Sequence, residues 1–231
     1  KDMTEIYDSI QPILPAQSKL IYGKLWGSRS HNLQLLGSDY DYFGVYALST
    51  KDILGISEHG DTITTEKPDM EAHEVLKFCR LLLKGNPTVI ESLFTAFNDF
   101  STAGWGHLHS HRMEFLTSRV VEYRVYGNGQ PQRLASGIRV HSKGGAPNSK
   151  WGFHMIRVLQ DGLDIALGGT PVVWEEGEHR ELLMRIRTGE VGIDESITKA
   201  KKLLASIERV RPWKVLEKAS EEFLNDRLLG I

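Results

Sequence analysis

Two short segments near the start of the chain carry residues that could bind phosphates and divalent cations. Gly27 and Ser28 end an apolar run, and Asp39 and Asp41 alternate at the start of a second run rich in aromatic and branched residues. Successive side chains of a strand point to opposite faces, so this spacing predicts both carboxylates on one face. Because two adjacent carboxylates repel each other unless a cation lies between them, we expect a cation site where these segments meet.

A third carboxylate from a neighbouring strand would complete a site for two cations. Asp69 and Glu71 alternate in the next β-like run, and Glu66 precedes them. Asp69 is our preferred third acid, able also to accept a proton from an attacking hydroxyl, and Glu66 and Glu71 are its alternatives. Carboxylate oxygens are hard ligands that suit Mg²⁺ or Mn²⁺. The competing interpretation makes Asp69 an ordinary turn residue after Pro68.

The Gly-Ser turn has the chemistry of a phosphate contact. Gly27 allows a phosphate to approach the backbone closely and permits an unusual φ. The Ser28 hydroxyl could bind a phosphate oxygen, and Arg29 could neutralise its charge. An ordinary strand-to-helix turn is the alternative.

Hydrophobic periodicity divides the chain into a mixed first part and a helical second part. β-like runs end near residue 74, and helices are predicted over residues 112–126, 151–167, 181–187, 196–210 and 213–229. Residues 127–149, rich in Gly, Pro, Asn and Ser, are predicted to form a loop. The pattern predicts an α+β fold, with a small mixed β-sheet domain over residues 1–110 and a mainly helical domain over residues 111–231.

Polar residues of the helical part are further candidates for phosphate binding. Lys150 precedes His154 and Arg157, which together with Asp161 have the i, i+3 and i, i+4 spacing that places side chains on one face of a helix. The functional interpretation is that Lys150, His154 and Arg157 bind a triphosphate or an acceptor phosphate. In the structural interpretation Arg157 pairs with Asp161, and His154 is a histidine of the packing interface.

Gly27-Ser28, Asp39-x-Asp41 and a later acid resemble the signature of the polymerase-β nucleotidyltransferase superfamily. Further motifs are similar to a bacterial and phage branch of predicted nucleotidyltransferases associated with RNA ligases. These motifs are residues 85–88 (Gly-Asn-Pro-Thr) with residues 91–93 (Glu-Ser-Leu), Lys150 with residues 154–159, and residues 186–190 (Ile-Arg-Thr-Gly-Glu). The resemblance covers residues 20–210, approximately.

The resemblance implies a catalytic sheet domain with a helical partner domain that closes the cleft. It implies Mg²⁺ or Mn²⁺ as cofactor, a nucleoside triphosphate such as ATP as donor, and transfer of its nucleoside monophosphate to an acceptor with release of pyrophosphate. Asp39, Asp41 and Asp69 are then the catalytic and metal-binding residues, and Ser28 contacts phosphate. RNA ends, tRNA-like molecules, a protein side chain and a small metabolite remain open as acceptors, with an RNA end expected first. Base preference and oligomeric state also remain open.

Composition limits the possible partners, metal sites and location of the protein. The net charge of −2 over 231 residues provides no global positive field for nucleic acid. The single Cys79 excludes an internal disulfide framework and a cysteine-based zinc site, and favours a reducing, cytoplasmic location. No apolar run approaches the roughly twenty residues that a membrane span needs, so no membrane partner is expected.

Two rival functions compete with nucleotidyl transfer. One is a non-catalytic nucleotide- or RNA-binding regulatory module, in which the sheet domain binds without reaction. The other is a zinc hydrolase built on His107, His109 and His111, which would share one face if they lay on a strand. A solvated loop or a helix start is the favoured interpretation of the three histidines.

Overall fold

The computed structural model describes residues 1–56, 59–95, 99–128 and 149–228. Contacts divide the chain into two compact units. The sheet unit contains Lys1–Leu83, Ser92–Arg112 and the chain from Ser220 onward, and the helical unit contains Lys84–Glu91 and Met113–Ala219. Compared with the predicted ranges 1–110 and 111–231, the helical unit also takes residues 84–91, and the sheet unit also takes residues 111–112 and those from 220 onward. The assignment of those ranges as functional domains stays a prediction.

A five-stranded mixed sheet organises the sheet unit. Its strands are β1 (Lys19–Trp26), β2 (Asp41–Ala47), β3 (Thr62–Glu66), β4 (Asp69–Glu74) and β5 (Phe100–Ser101), in the order β3-β4-β2-β1-β5. Strands β2 and β4 are parallel, and the other neighbours are antiparallel. The sequence pattern of residues 62–74 predicts a third strand interrupted near Pro68, and the structure has two strands here, joined by a turn at Lys67 and Pro68. The predicted α+β class is confirmed.

Helices of the sheet unit cover both faces of the sheet. On one face, Ile6 and Ile10 of the first helix pack against Leu20, Tyr42 and Met70. The opposite face carries Phe43, whose ring lies 6.5 Å from that of Phe78, and Tyr22, which stacks on Trp105 at 3.9 Å. The helices of this unit are α1 (Met3–Ile10), α2 (Gly27–Ser30), α3 (Thr50–Leu54), α4 (Val75–Leu83), α6 (Ala103–Ser110) and α11 (Glu221–Leu228).

The helical unit is built around one long helix. Helix α8 (Ser149–Ala166) packs against α9 (Gly177–Thr188) and α10 (Ile193–Arg209), which confirms three of the predicted helices. Helix α9 ends at Gly189, whose φ of 84° is left-handed and whose N–H donates to the carbonyl of Ile186. Two shorter helices, α5 (Pro87–Ser92) and α7 (Ser118–Glu122), complete the description, α5 ending one residue inside the sheet unit.

Two predicted helices are wrong in part. Residues 112–126 form a 3-10 turn (Arg112–Phe115), helix α7 and a π-helical turn (Tyr123–Asn128). Among the described residues 213–228, the helix is confined to Glu221–Leu228. The preceding segment is held by long-range contacts, because Lys214 donates its N–H to the carbonyl of Ala166 and Leu216 forms a parallel bridge with Thr117. The predicted loop falls mostly on residues 129–148, outside the described residues. No helix in the described ranges has the length and hydropathy to cross a membrane.

Candidate active site

The strand ladder places Asp41 and Asp69 side by side. Asp41 is the first residue of β2, Asp69 is the first residue of β4, and the two are register partners in these parallel strands. Because Tyr42 and Met70 point into the core against α1, alternation directs both aspartates to the opposite face of the sheet. Asp41 is half-buried and Asp69 is exposed. The structure therefore places two of the three predicted acidic residues at paired backbone positions on one face of the sheet.

Asp39 is placed differently from the expectation. Strand β2 begins only at Asp41, so strand alternation does not position Asp39, and the prediction that both lie on one face of one strand is wrong. Asp39 is exposed in the segment that precedes the strand. Its backbone carbonyl accepts a hydrogen bond from Nε of Arg29 at 3.2 Å. Local backbone contacts, rather than sheet pairing, thus hold this residue.

The described residues contain no group of three or more His, Cys, Asp and Glu side chains arranged to hold a metal ion. The neighbouring carboxylates of Asp41 and Asp69 nevertheless have the oxygen donors that a hard divalent cation prefers. Cation binding by Asp39, Asp41 and Asp69 together stays a prediction.

Gly27 forms the turn on which the Asp41 carboxylate rests. Its φ of 65° is left-handed, and a β-carbon at this position would clash with Oδ2 of Asp41. Only glycine fits both the backbone conformation and the contact. Trp26, the residue before it, is the register partner of Asp41 in β1, so the Gly-Ser turn and the Asp41 strand start are neighbours.

Ser28 lies in the short helix α2 that starts at this turn. The residue is half-buried, and its carbonyl accepts the N–H of Leu33 at 2.8 Å. The position beside Asp41 suits a hydroxyl that contacts phosphate. That contact stays a prediction.

A buried lysine on the same sheet face was not identified as a candidate from the sequence. Lys24 is 3% exposed and lies two residues before Trp26, on the face that carries Asp41. Its Nζ lies 4.9 Å from the centre of the Trp26 ring. A buried ammonium requires opposite charge or strong hydrogen bonds, and the nearby aspartate face offers negative charge. A lysine inside an otherwise apolar strand was the sequence signal for it.

Glu71, one alternative for the third acid, forms an ion-pair contact with a histidine. Nε2 of His73 lies 3.2 Å from Oε1 of Glu71, and Nδ1 of His73 lies 3.1 Å from the hydroxyl of Thr62. Burial lowers the pKa of His73, while Glu71 acts in the opposite sense. Glu66, the other alternative, is the exposed register partner of Asp69 across the β3–β4 turn.

Arg157 of the helical unit lies in a buried ion network. It is 3% exposed, and its Nη1 lies 3.2 Å from Glu91 and 3.6 Å from Asp161. Arg124, fully buried, places Nη2 3.7 Å from the same Glu91 carboxylate. The structure thus contains the Arg157–Asp161 pair of the structural interpretation. Binding of a nucleotide by Arg157 stays a prediction.

The other two candidates on this helix have contrasting environments. Lys150 is exposed at the second position of α8. Burial, reinforced by the charge of Arg157, lowers the pKa of His154 to about 4, so this histidine is neutral at physiological pH. Burial and the neighbouring Glu91 raise the pKa of Asp161 to about 7. Of the three predicted phosphate contacts, Lys150 is the one whose charge faces solvent.

The three alternating histidines lie at a helix end. His107 and His109 are in α6, and His111 caps it, with Nδ1 of His111 2.9 Å from the carbonyl of His107. A helix does not place alternate residues on one face, so the strand geometry of the zinc interpretation is wrong.

The mixed sheet, the Gly-Ser turn and the neighbouring aspartates are consistent with a polymerase-β-type nucleotidyltransferase. The family model RlaP, described as the RNA repair pathway DNA polymerase beta family, matches residues 4–225. The chain belongs to this family, and the predicted resemblance is confirmed. Membership supports nucleotidyltransferase activity connected with RNA repair in general terms. Neither the curated proteins nor the solved structures contain a match to the chain.

Proposed function

We propose that the protein is a metal-dependent nucleotidyltransferase that moves a nucleoside monophosphate from a nucleoside triphosphate to an acceptor, with an RNA end as the first candidate. The observation that carries this proposal is the register pairing of Asp41 with Asp69 beside the Gly27 turn. Family membership supports the class of reaction and its connection with RNA.

The proposed step is a displacement at the α-phosphorus. An oxygen of the acceptor forms the new bond to phosphorus, the bond from that phosphorus to the bridging oxygen breaks, and pyrophosphate leaves. Asp69 accepts the proton when the attacking group is a hydroxyl. Ser28 donates a hydrogen bond to the β- or γ-phosphate. Positioning and charge neutralisation account for most of the rate.

The chemistry of the three carboxylates suits a divalent cation, and the register pairing of Asp41 with Asp69 supports a site at that edge of the sheet. Pairing of β2 with β4 positions two of the proposed cation ligands, Asp41 and Asp69. Asp39 is the proposed third ligand. A bound Mg²⁺ or Mn²⁺ would neutralise phosphate charge and lower the pKa of an attacking hydroxyl. Lys150 is proposed to bind phosphate of the donor or acceptor, because its ammonium is exposed at the start of a long helix.

A labelled-nucleotide assay tests this function. The protein is incubated with each α-³²P-labelled nucleoside triphosphate, with Mg²⁺ or Mn²⁺, and with single-stranded RNA, tRNA and protein acceptors. We expect label to enter one acceptor class, and Asp41→Asn to abolish transfer without lowering the melting temperature by more than Asp194→Asn, a matched change at an exposed aspartate of the helical unit. Full transfer by Asp41→Asn would refute the assignment. Tight, metal-independent nucleotide binding without transfer would favour the regulatory module instead.

A further inference from the structure

Arg29 makes its contacts with the protein backbone. Its Nη2 donates to the carbonyl of Ser38 at 2.7 Å, and its Nε donates to the carbonyl of Asp39 at 3.2 Å. The guanidinium carbon lies 4.0 Å from the centre of the Tyr40 ring. A single planar fork therefore contacts three consecutive residues, using two hydrogen bonds and one stacking face.

The contacted residues lead directly into strand β2. Asp41 is held by pairing with β1 and β4, whereas Asp39 lies before the paired region. The turn that precedes it is closed by hydrogen bonds between Leu35 and Ser38. The hydrogen bonds of Arg29 connect the end of this turn, at Ser38 and Asp39, to helix α2. It supplies the connection that sheet pairing does not provide for Asp39.

Arginine suits this role better than lysine. The guanidinium can donate two hydrogen bonds in fixed directions and stack on an aromatic ring at the same time, whereas an ammonium is a point charge on a flexible stem. Both hydrogen-bond acceptors of Arg29 in these contacts are backbone carbonyls and not carboxylates. They direct its N–H donors toward the segment that carries Asp39.

We propose that Arg29 is a positioning residue that holds the Asp39-bearing loop for cation binding and nucleotidyl transfer. This inference rests on the proposed function and replaces direct triphosphate binding as the main role of Arg29. A side chain that positions Asp39 acts on turnover and on cation affinity. A side chain that binds the triphosphate acts first on the Michaelis constant for the nucleotide.

The test compares Arg29→Ala with Arg211→Ala. Arg211 is a matched control, because its guanidinium lies 4.2 Å from the Trp213 ring and it pairs with Glu208 at 2.8 Å on the surface of the helical unit. Turnover is measured with labelled ATP and an RNA oligonucleotide that ends in a 3′-hydroxyl. Mn²⁺ affinity is measured by electron paramagnetic resonance in the presence of α,β-methylene-ATP, so a second readout is independent of the acceptor.

We expect Arg29→Ala to lower kcat at least about tenfold and to weaken Mn²⁺ binding, with KM for ATP changed less than about twofold. Arg211→Ala should change none of these. Because Arg29 acts through Asp39, the double variant Arg29→Ala/Asp39→Asn should turn over at the rate of Asp39→Asn alone. Arg29→Lys should resemble Arg29→Ala, and it replaces that variant if the alanine protein does not fold.

Three results would overturn the proposal: unchanged kcat and Mn²⁺ affinity in Arg29→Ala, an increase confined to KM, or additive losses in the double variant. Recovery of turnover by Arg29→Lys would also overturn it, because charge alone would then suffice. The proposed function fails separately, when Asp41→Asn retains full transfer.

Discussion

Replacing Gly27 with alanine tests whether the turn sets the position of the Asp41 carboxylate. The β-carbon of alanine would clash with Oδ2 of Asp41, so the carboxylate must move by on the order of 1 Å to restore a van der Waals contact. Alanine must also adopt a left-handed φ near 65°, which costs about 1–2 kcal/mol. The substitution thus has two effects, a loss of folding free energy from the left-handed backbone and a displacement of the Asp41 carboxylate.

Gly177→Ala separates these two effects. Gly177 has a similar φ of 59°, but nothing lies within 4 Å of a β-carbon at that position. Both variants should therefore lose about 1–2 kcal/mol from the backbone alone, a decrease of several degrees in melting temperature for a chain of this size. The additional effect of Gly27→Ala is the displacement of Asp41.

The assay measures melting temperature by circular dichroism and nucleotidyl transfer with labelled ATP. A misplacement of about 1 Å at a reacting centre can cost about a hundredfold in rate. We expect that order of loss for Gly27→Ala and none for Gly177→Ala at a temperature where both proteins are folded. Equal transfer by the two variants would refute the argument that contact with Gly27 positions Asp41.

Buried Asp161 and half-buried His154 should give opposite pH dependences of stability. Asp161, whose pKa is raised from 3.8 to about 7, contributes stability that is fully present below its unfolded pKa and is lost as pH rises from about 4 through 7. The free energy of urea unfolding of Asp161→Asn should therefore rise relative to that of the wild type over this pH range. His154, whose pKa is lowered from 6.5 to about 4, contributes stability that is lost as pH falls from 6.5 towards 4, so the free energy of unfolding of His154→Gln should rise relative to that of the wild type as pH falls through this range. Differences from the wild type that do not change with pH would contradict both assignments. Tyr22 donates its hydroxyl to Asp99 in a buried site, and Tyr22→Phe should cost about 1–3 kcal/mol in the same unfolding measurement, whereas an unchanged midpoint would show that this hydrogen bond adds no net stability.

Some parts of the site follow from local sequence because their chemistry is local. The Gly-Ser turn needs a residue that tolerates positive φ, and Gly27 has that conformation. The long helix containing Lys150 follows from apolar spacing, which depends only on residues a turn apart. Asp41 and Asp69 are recognisable as candidates because each alternates with a second carboxylate, Asp39 and Glu71 respectively, in the sequence.

Other parts depend on contacts between distant segments. Spacing alone does not reveal that residues 62–74 are two strands, or that the second strand lies parallel to β2. That arrangement makes Asp41 and Asp69 register partners. The burial of Arg157 likewise depends on Glu91, which lies 66 positions earlier in the sequence. Side-chain charge is a property of the residue, whereas its burial is a property of the packing.

The amino-acid sequence by itself therefore determined the family, the α+β class and the residue types able to bind cations and phosphate. Those properties follow from short sequence motifs and from the periodicity of hydrophobic residues. Tertiary structure decided that Asp41 and Asp69 are neighbours, that Asp39 lies outside the strand and that Arg29 contacts the loop backbone. These outcomes depend on strand register and on loop closure, which arise only when segments far apart in the chain pack together.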